Sequence, residues 1–98
     1  MAAIRTQGRL LTVSGAVDYD ASAEFSKAIH GFMTGSGKTG GTIDLSGVDE
    51  LVSSCLSAIY DGVRLHKPSA LTLLVPGRLA LLFAPGEAEG LFVVKTAV

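Results

Sequence analysis

The spacing of apolar residues changes period several times along the 98-residue chain. Ile4–Thr6 and Arg9–Ser14 read as extended segments around Gln7-Gly8, a tight turn, with Gly15 closing the second. From Ala21 the period becomes helical: Ala21, Phe25, Ala28, Ile29 and Phe32 make one apolar face. Asp20 stands before them as an N-cap, and the helix is expected over Ala21–Met33, ahead of Thr34-Gly35-Ser36-Gly37. Gly41–Leu45 predicts a short strand ending at Asp44-Leu45-Ser46-Gly47. Leu56, Ile59, Tyr60 and Val63 return to helical spacing, with a start at Val52 or Ser53. Pro68 closes that helix, because the residue before a proline is pushed out of the helical region. Ala70–Val75 is a continuous apolar run of strand length, the pattern of a strand covered on both faces. Arg78–Ala84 predicts a short helix with Leu79, Leu82 and Phe83 facing inward and a stop at Pro85-Gly86. Leu91–Val94 is a last short strand.

The order is therefore β-β-α-β-α-β-α-β. Strands that alternate with helices imply crossover connections. The expected fold is α/β: a mixed sheet of about four or five strands, a parallel core with an N-terminal edge hairpin, and helices against it. Residues 1–98 make one domain on this reading.

Composition narrows the function classes. Hydrophobic residues are 48% and charged residues 17%, which excludes a disordered chain. Lys+Arg is 8 against Asp+Glu 9, so no general attraction to nucleic acid is expected. Tryptophan is absent and aromatics are 6%, which leaves few platforms for stacking bases. The single cysteine, Cys55, cannot form an internal disulfide or a zinc site by itself. The apolar run Leu79–Ala84 is far below the ~20 residues that cross a bilayer. Met1–Gln7 has no apolar core of secretory type. A soluble cytoplasmic protein is expected, with no direct membrane insertion and no cofactor implied.

Several residues invite a chemical reading. Gly35-Ser36-Gly37-Lys38-Thr39-Gly40 looks like a phosphate-binding loop, but that loop needs a glycine at position 32, which is Phe32. It also follows a helix and precedes a strand, the reverse of the required context, so a flexible connection with an exposed lysine is expected. Cys55 near a helix start could be an activated thiol, yet no base and orienting group accompany it, and a buried small side chain is expected. His30 and His66 read as helix-surface and helix-end residues. Asp49 and Glu50 are adjacent carboxylates, which in an extended or turning segment point apart; a solvated loop is expected rather than a hydrolase pair. Ser53-Ser54 opens a helix after a strand and a loop. Serine there serves as an N-cap, or accepts a phosphoryl group that the positive helix end tolerates.

The segment Asp44-Leu45-Ser46-Gly47-Val48-Asp49-Glu50-Leu51-Val52-Ser53-Ser54-Cys55-Leu56 resembles a STAS domain, the family of bacterial anti-sigma factor antagonists and of sulfate-transporter tails. The family pattern is Asp-Leu-Ser-Gly-Val, three variable residues, then Asp-Ser-Ser-Gly-Leu. Val13–Asp18, Leu73–Leu82 and Gly90-Leu91-Phe92 resemble further parts of it, so the likeness runs along nearly the whole chain. The resemblance implies a binding module, not an enzyme, whose partner is a kinase-type anti-sigma factor. It implies phosphorylation of Ser53, with Ser54 the next candidate, and a partner surface of Asp18, Ser46, Asp49, Glu50, Ser53, Ser54 and Cys55 in the Ser46–Ser54 loop and the first two helices. Two positions depart from the pattern: Val52 stands for the family's aspartate and Cys55 for its glycine. The alternative is a STAS-like accessory subunit docked on the ATPase of a lipid or anion transporter, without a phosphate cycle.

Overall fold

The structure, a computed structural model, describes residues 2–97. Its elements are β1 (Ala2–Gln7), β2 (Leu10–Val17), α1 (Ser22–Thr34), β3 (Thr42–Leu51), α2 (Ser53–His66), β4 (Thr72–Pro76), α3 (Ala80–Ala88) and β5 (Val93–Ala97). Short 3₁₀ turns, Tyr19–Ala21 and Gly77–Leu79, lead into α1 and α3. One five-stranded sheet runs in the order β1-β2-β3-β4-β5. β1 pairs antiparallel with β2 as the expected edge hairpin, and β2 to β5 are all parallel.

Every crossover steps one strand in the same direction. With the right-handed sense of such connections, all three helices lie on one face of the sheet. Burial along the strands agrees. Leu11, Val13, Ile43, Leu45, Leu73 and Val75 are fully buried, while their neighbours Thr12, Ser14, Thr42, Asp44, Thr72 and Leu74 are only half-buried. Ala70–Val75 was expected to be covered on both faces; β4 instead alternates, because only the helix side has a layer to press on it. Phe25, Ile29, Met33, Ile59 and Phe83 supply that layer. Each such side chain contributes about 1.5–3 kcal/mol on leaving water.

Three strand boundaries and one helix cap differ from expectation. Gly15 does not close β2, which continues to Val17 through an irregularity at Gly15/Ala16. β3 does not end at Leu45. Asp44 pairs with Thr12 but Gly47 with Ser14, and Val48 with Gly15 but Glu50 with Ala16. Two extra residues are thus absorbed as bulges, and Ser46-Gly47, a turn signal in sequence, becomes part of a strand. At α1 the side-chain cap is not Asp20. Asp18 accepts from the Ala21 amide at 3.1 Å and caps the preceding 3₁₀ turn. β5 sits later than Leu91–Val94 because Leu73 and Leu74 pair with Val94 and Lys95.

The largest departure is α3. Pro85-Gly86 does not stop it; the helix runs through to Ala88. Proline removes one rung of the helix ladder. At the next rung, between the Gly86 amide and the Leu82 carbonyl, a side chain engages both groups. The Tyr60 hydroxyl donates to the Leu82 carbonyl at 2.8 Å and accepts from the Gly86 amide at 3.2 Å. α2 therefore repairs α3. Gly86 allows it, since a Cβ there would stand 2.2 Å from the Phe92 ring and 2.8 Å from that of Tyr60. Tyr60, Phe83 and Phe92 pack as one aromatic cluster, centroids 5.6 to 6.4 Å apart. Leu82 turns out to solvent at 41% exposure, with Leu81 at 84%. Removing the hydroxyl in Tyr60→Phe is expected to lower stability by about 1–2 kcal/mol, because two backbone groups lose their partner. Gly86→Ala is expected to be worse, by overpacking the ring cluster. Urea unfolding of both variants beside the wild type checks the order.

Candidate functional site

Because β2, β3 and β4 are parallel, their carboxyl ends share one edge. Asp18 and Tyr19 follow β2, Asp49 to Val52 end β3 and lead to Ser53, and Arg78 follows β4. The Val52 amide donates to the Val17 carbonyl at 3.0 Å, which ties the start of α2 to the end of β2. β3 pairs with β4 only up to Asp44, and beyond that the two strands separate. The Arg78 guanidinium spans the gap and donates to the Val48 carbonyl.

Ser53 is the first residue of α2, and Val52 is its N-cap. The serine is therefore not the cap that its composition suggested. Val52 has no side chain to receive an amide, and the amides of Ser53 and Ser54 have no acceptor among the described residues. Both serines are exposed, and the Ser53 hydroxyl makes no hydrogen bond among the described residues. An exposed hydroxyl beside free amides at the positive end of a helix is what an anionic substituent would meet most favourably.

The other expected surface residues divide. Asp49 and Glu50 are exposed but lie in β3, not in a loop, since the bulges extend the strand past them. Ser46 is also exposed in β3, and its amide and hydroxyl donate to Asp44 at 2.9 and 2.6 Å. Asp18 is half-buried and engaged with Ala21. Cys55, expected on the partner-facing surface, is 1% exposed and packs in the core, so its side chain is not presented there. Burial pushes its thiol above the ordinary range, the neighbouring Ser54 hydroxyl acts the other way, and the Asp18 carboxylate adds to the rise. A nucleophilic thiolate is disfavoured in that setting.

Gly35–Gly40 lies at the opposite, amino edge, ahead of β3. It is less loose than expected: the Gly40 amide donates to the Ser69 carbonyl and the Ser69 amide to the Lys38 carbonyl, both at 2.8 Å. These bonds join two connecting loops and aim no helix start at a phosphate. His30 and His66, expected as separate surface residues, meet between α1 and α2 with Nδ1 and Nε2 2.9 Å apart. Thirty-six residues separate them. The only sequence signal was their place beside buried neighbours, Ile29 and Met33 for one and Gly62 and Val63 for the other.

Among the described residues the side chains at the carboxyl edge are spread along it. The strand order never reverses, so the sheet has no switch-point crevice of the kind that holds ligands in open α/β folds. The nearest depression, about 320 Å³, is lined by Asp18, Asp20 and Glu24 with Ala2 and Ala21. Among the described residues no three His, Cys, Asp or Glu side chains are grouped to hold a metal ion, and no helix is long and apolar enough to cross a membrane. A scan of protein-family models finds no match to the chain, and a search of curated proteins finds none of significant similarity.

Two measurements check this placement. Ser53→Ala is expected to change stability by less than about 0.5 kcal/mol, as for an exposed side chain with no partner. Iodoacetamide is expected to label Cys55 more than about tenfold faster in urea than in buffer at neutral pH, as for a buried thiol.

Proposed function

We propose that the protein is a STAS-like regulatory binding module, with the carboxyl edge around Ser53 as its docking surface and Ser53 as its phosphoacceptor. The partner on this reading is a kinase-type anti-sigma factor in the cytoplasm, which releases its sigma factor when the unphosphorylated domain binds. One observation carries the proposal: an exposed serine hydroxyl, without a hydrogen bond among the described residues, on the first residue of α2. A phosphoryl group there would bring about −1.5 to −2 charges to an edge already holding Asp18, Asp20, Asp49 and Glu50. The two free amides soften the cost to the fold, while the surface offered to a partner changes strongly. An edge with no switch-point crevice suits a protein partner better than a small substrate.

The two departures from the family pattern act differently. Cys55 points into the core, so replacing glycine adds no bulk to the exposed edge. Val52 removes a carboxylate that would cap α2 and orient the serine hydroxyl. That loss favours the second reading, constitutive docking on a transporter ATPase.

Intact-mass analysis after incubation with the cognate kinase and ATP is expected to show one phosphoryl group, absent in Ser53→Ala. Ser53→Glu is expected to weaken partner binding at least about tenfold, or ~1.4 kcal/mol, with Ser53→Ala unaffected. Equal binding by both variants would discard the phosphate switch and leave the constitutive reading.

A further inference from the structure

The pair His30–His66 is the one side-chain hydrogen bond that joins α1 to α2 among the described residues. Its ring centroids are 5.0 Å apart while the facing nitrogens are 2.9 Å apart, and the rings are nearly perpendicular, at 87°. The nitrogens therefore lie close to the line between ring centres, and their in-plane orbitals point at each other. One nitrogen must carry a proton and donate; the other must be bare and accept.

The fold forces this meeting. The helices approach closely at Gly62, where a Cβ would stand 2.8 Å from Met33 Sδ and 3.5 Å from Ile29. His66 lies one turn beyond Gly62, and His30 lies between Ile29 and Met33. Both rings are half-buried, so water and protons reach them.

We propose that this pair is a proton-operated clasp between α1 and α2, closed while the two rings hold no more than one extra proton and opened by the second. The neutral pair is bonded through one N–H. A first added proton goes to an outer nitrogen and leaves that bond in place as a charge-assisted one. A second makes both rings donors, removes the acceptor and sets two cations against each other. Nothing nearby offsets that repulsion. No carboxylate forms an ion pair with either imidazole among the described residues. On α1, Lys27 stands one turn before His30, and Glu24 is turned away from it by helical spacing. On α2, Lys67 follows His66, while Asp61 and Arg64 fall on other sides, Arg64 paired with Glu89. Lys38 is the charged residue of the loop after α1. The strands beneath present Leu11, Val13, Ile43 and Leu45, none of which titrates.

The bond needs one bare acceptor nitrogen, so the contribution of the clasp is present at neutral pH and lost in acid, where both rings are donors.

The test is a double-mutant cycle of His30→Leu and His66→Leu, read as melting temperature from pH 8 to pH 5 with chelator present. A coupling of about 4–8 °C at pH 7.5 that vanishes by pH 5 is expected for a domain of this size. Coupling that is absent at pH 7.5, or unchanged at pH 5, overturns the clasp. Should either variant fail to fold, the imidazole nitrogen resonances of the wild type decide: two linked titration steps support it, and two independent curves overturn it. Without chelator, stabilisation by added Zn²⁺ that either substitution abolishes would make the pair a metal site and overturn the proton reading.

Discussion

The parallel pairing of β2 with β3 is the constraint on which the rest of the molecule depends. β3 stays in register with β2 from Thr42 to Leu51 only by absorbing two bulges. Those extra residues carry the chain to the end of β2, where the Val52 amide meets the Val17 carbonyl and α2 begins. With them the exposed hydroxyl stands on a helix start, close to Asp18.

The same economy of connection explains why the site is an edge and not a cleft. Each crossover advances one strand in the same direction, so the helices share one face. No reversal of strand order opens a crevice, and the side chains at the carboxyl edge are spread along it. On the proposed reading, such a surface recognises another protein through shape and charge.

Helix-to-helix contacts finish the layer. Tyr60 of α2 completes the broken ladder of α3, and Gly62 lets α1 approach α2 until two histidines touch. In each case one helix supplies what its neighbour lacks. α3 shows little preference for one apolar face, and it is held by the Phe83, Phe92 and Tyr60 cluster rather than by its own pattern.

Much of this could be read along the chain, because local periodicity reports which face meets a core. The element order, an N-terminal hairpin (turning at Gly8-Arg9, one residue later than Gln7-Gly8), α1 to within one residue and a start of α2 at Val52 or Ser53 all follow from spacing, turn residues and Pro68. The burial of Cys55 agrees with its reading as a small apolar side chain and not with the partner surface that the resemblance implied. Other features were decided by partners distant in sequence. Ser46-Gly47 reads as a turn until Ser14 lies opposite it, and Pro85-Gly86 reads as a stop until Tyr60 supplies the missing acceptor and donor. The open face of β4 depends on the direction of every crossover. His30 and His66 lie thirty-six residues apart, and only the packing of α1 on α2 makes them a pair. Periodicity encodes which side of an element is apolar; which groups of different elements come within hydrogen-bonding distance is set by the packed whole.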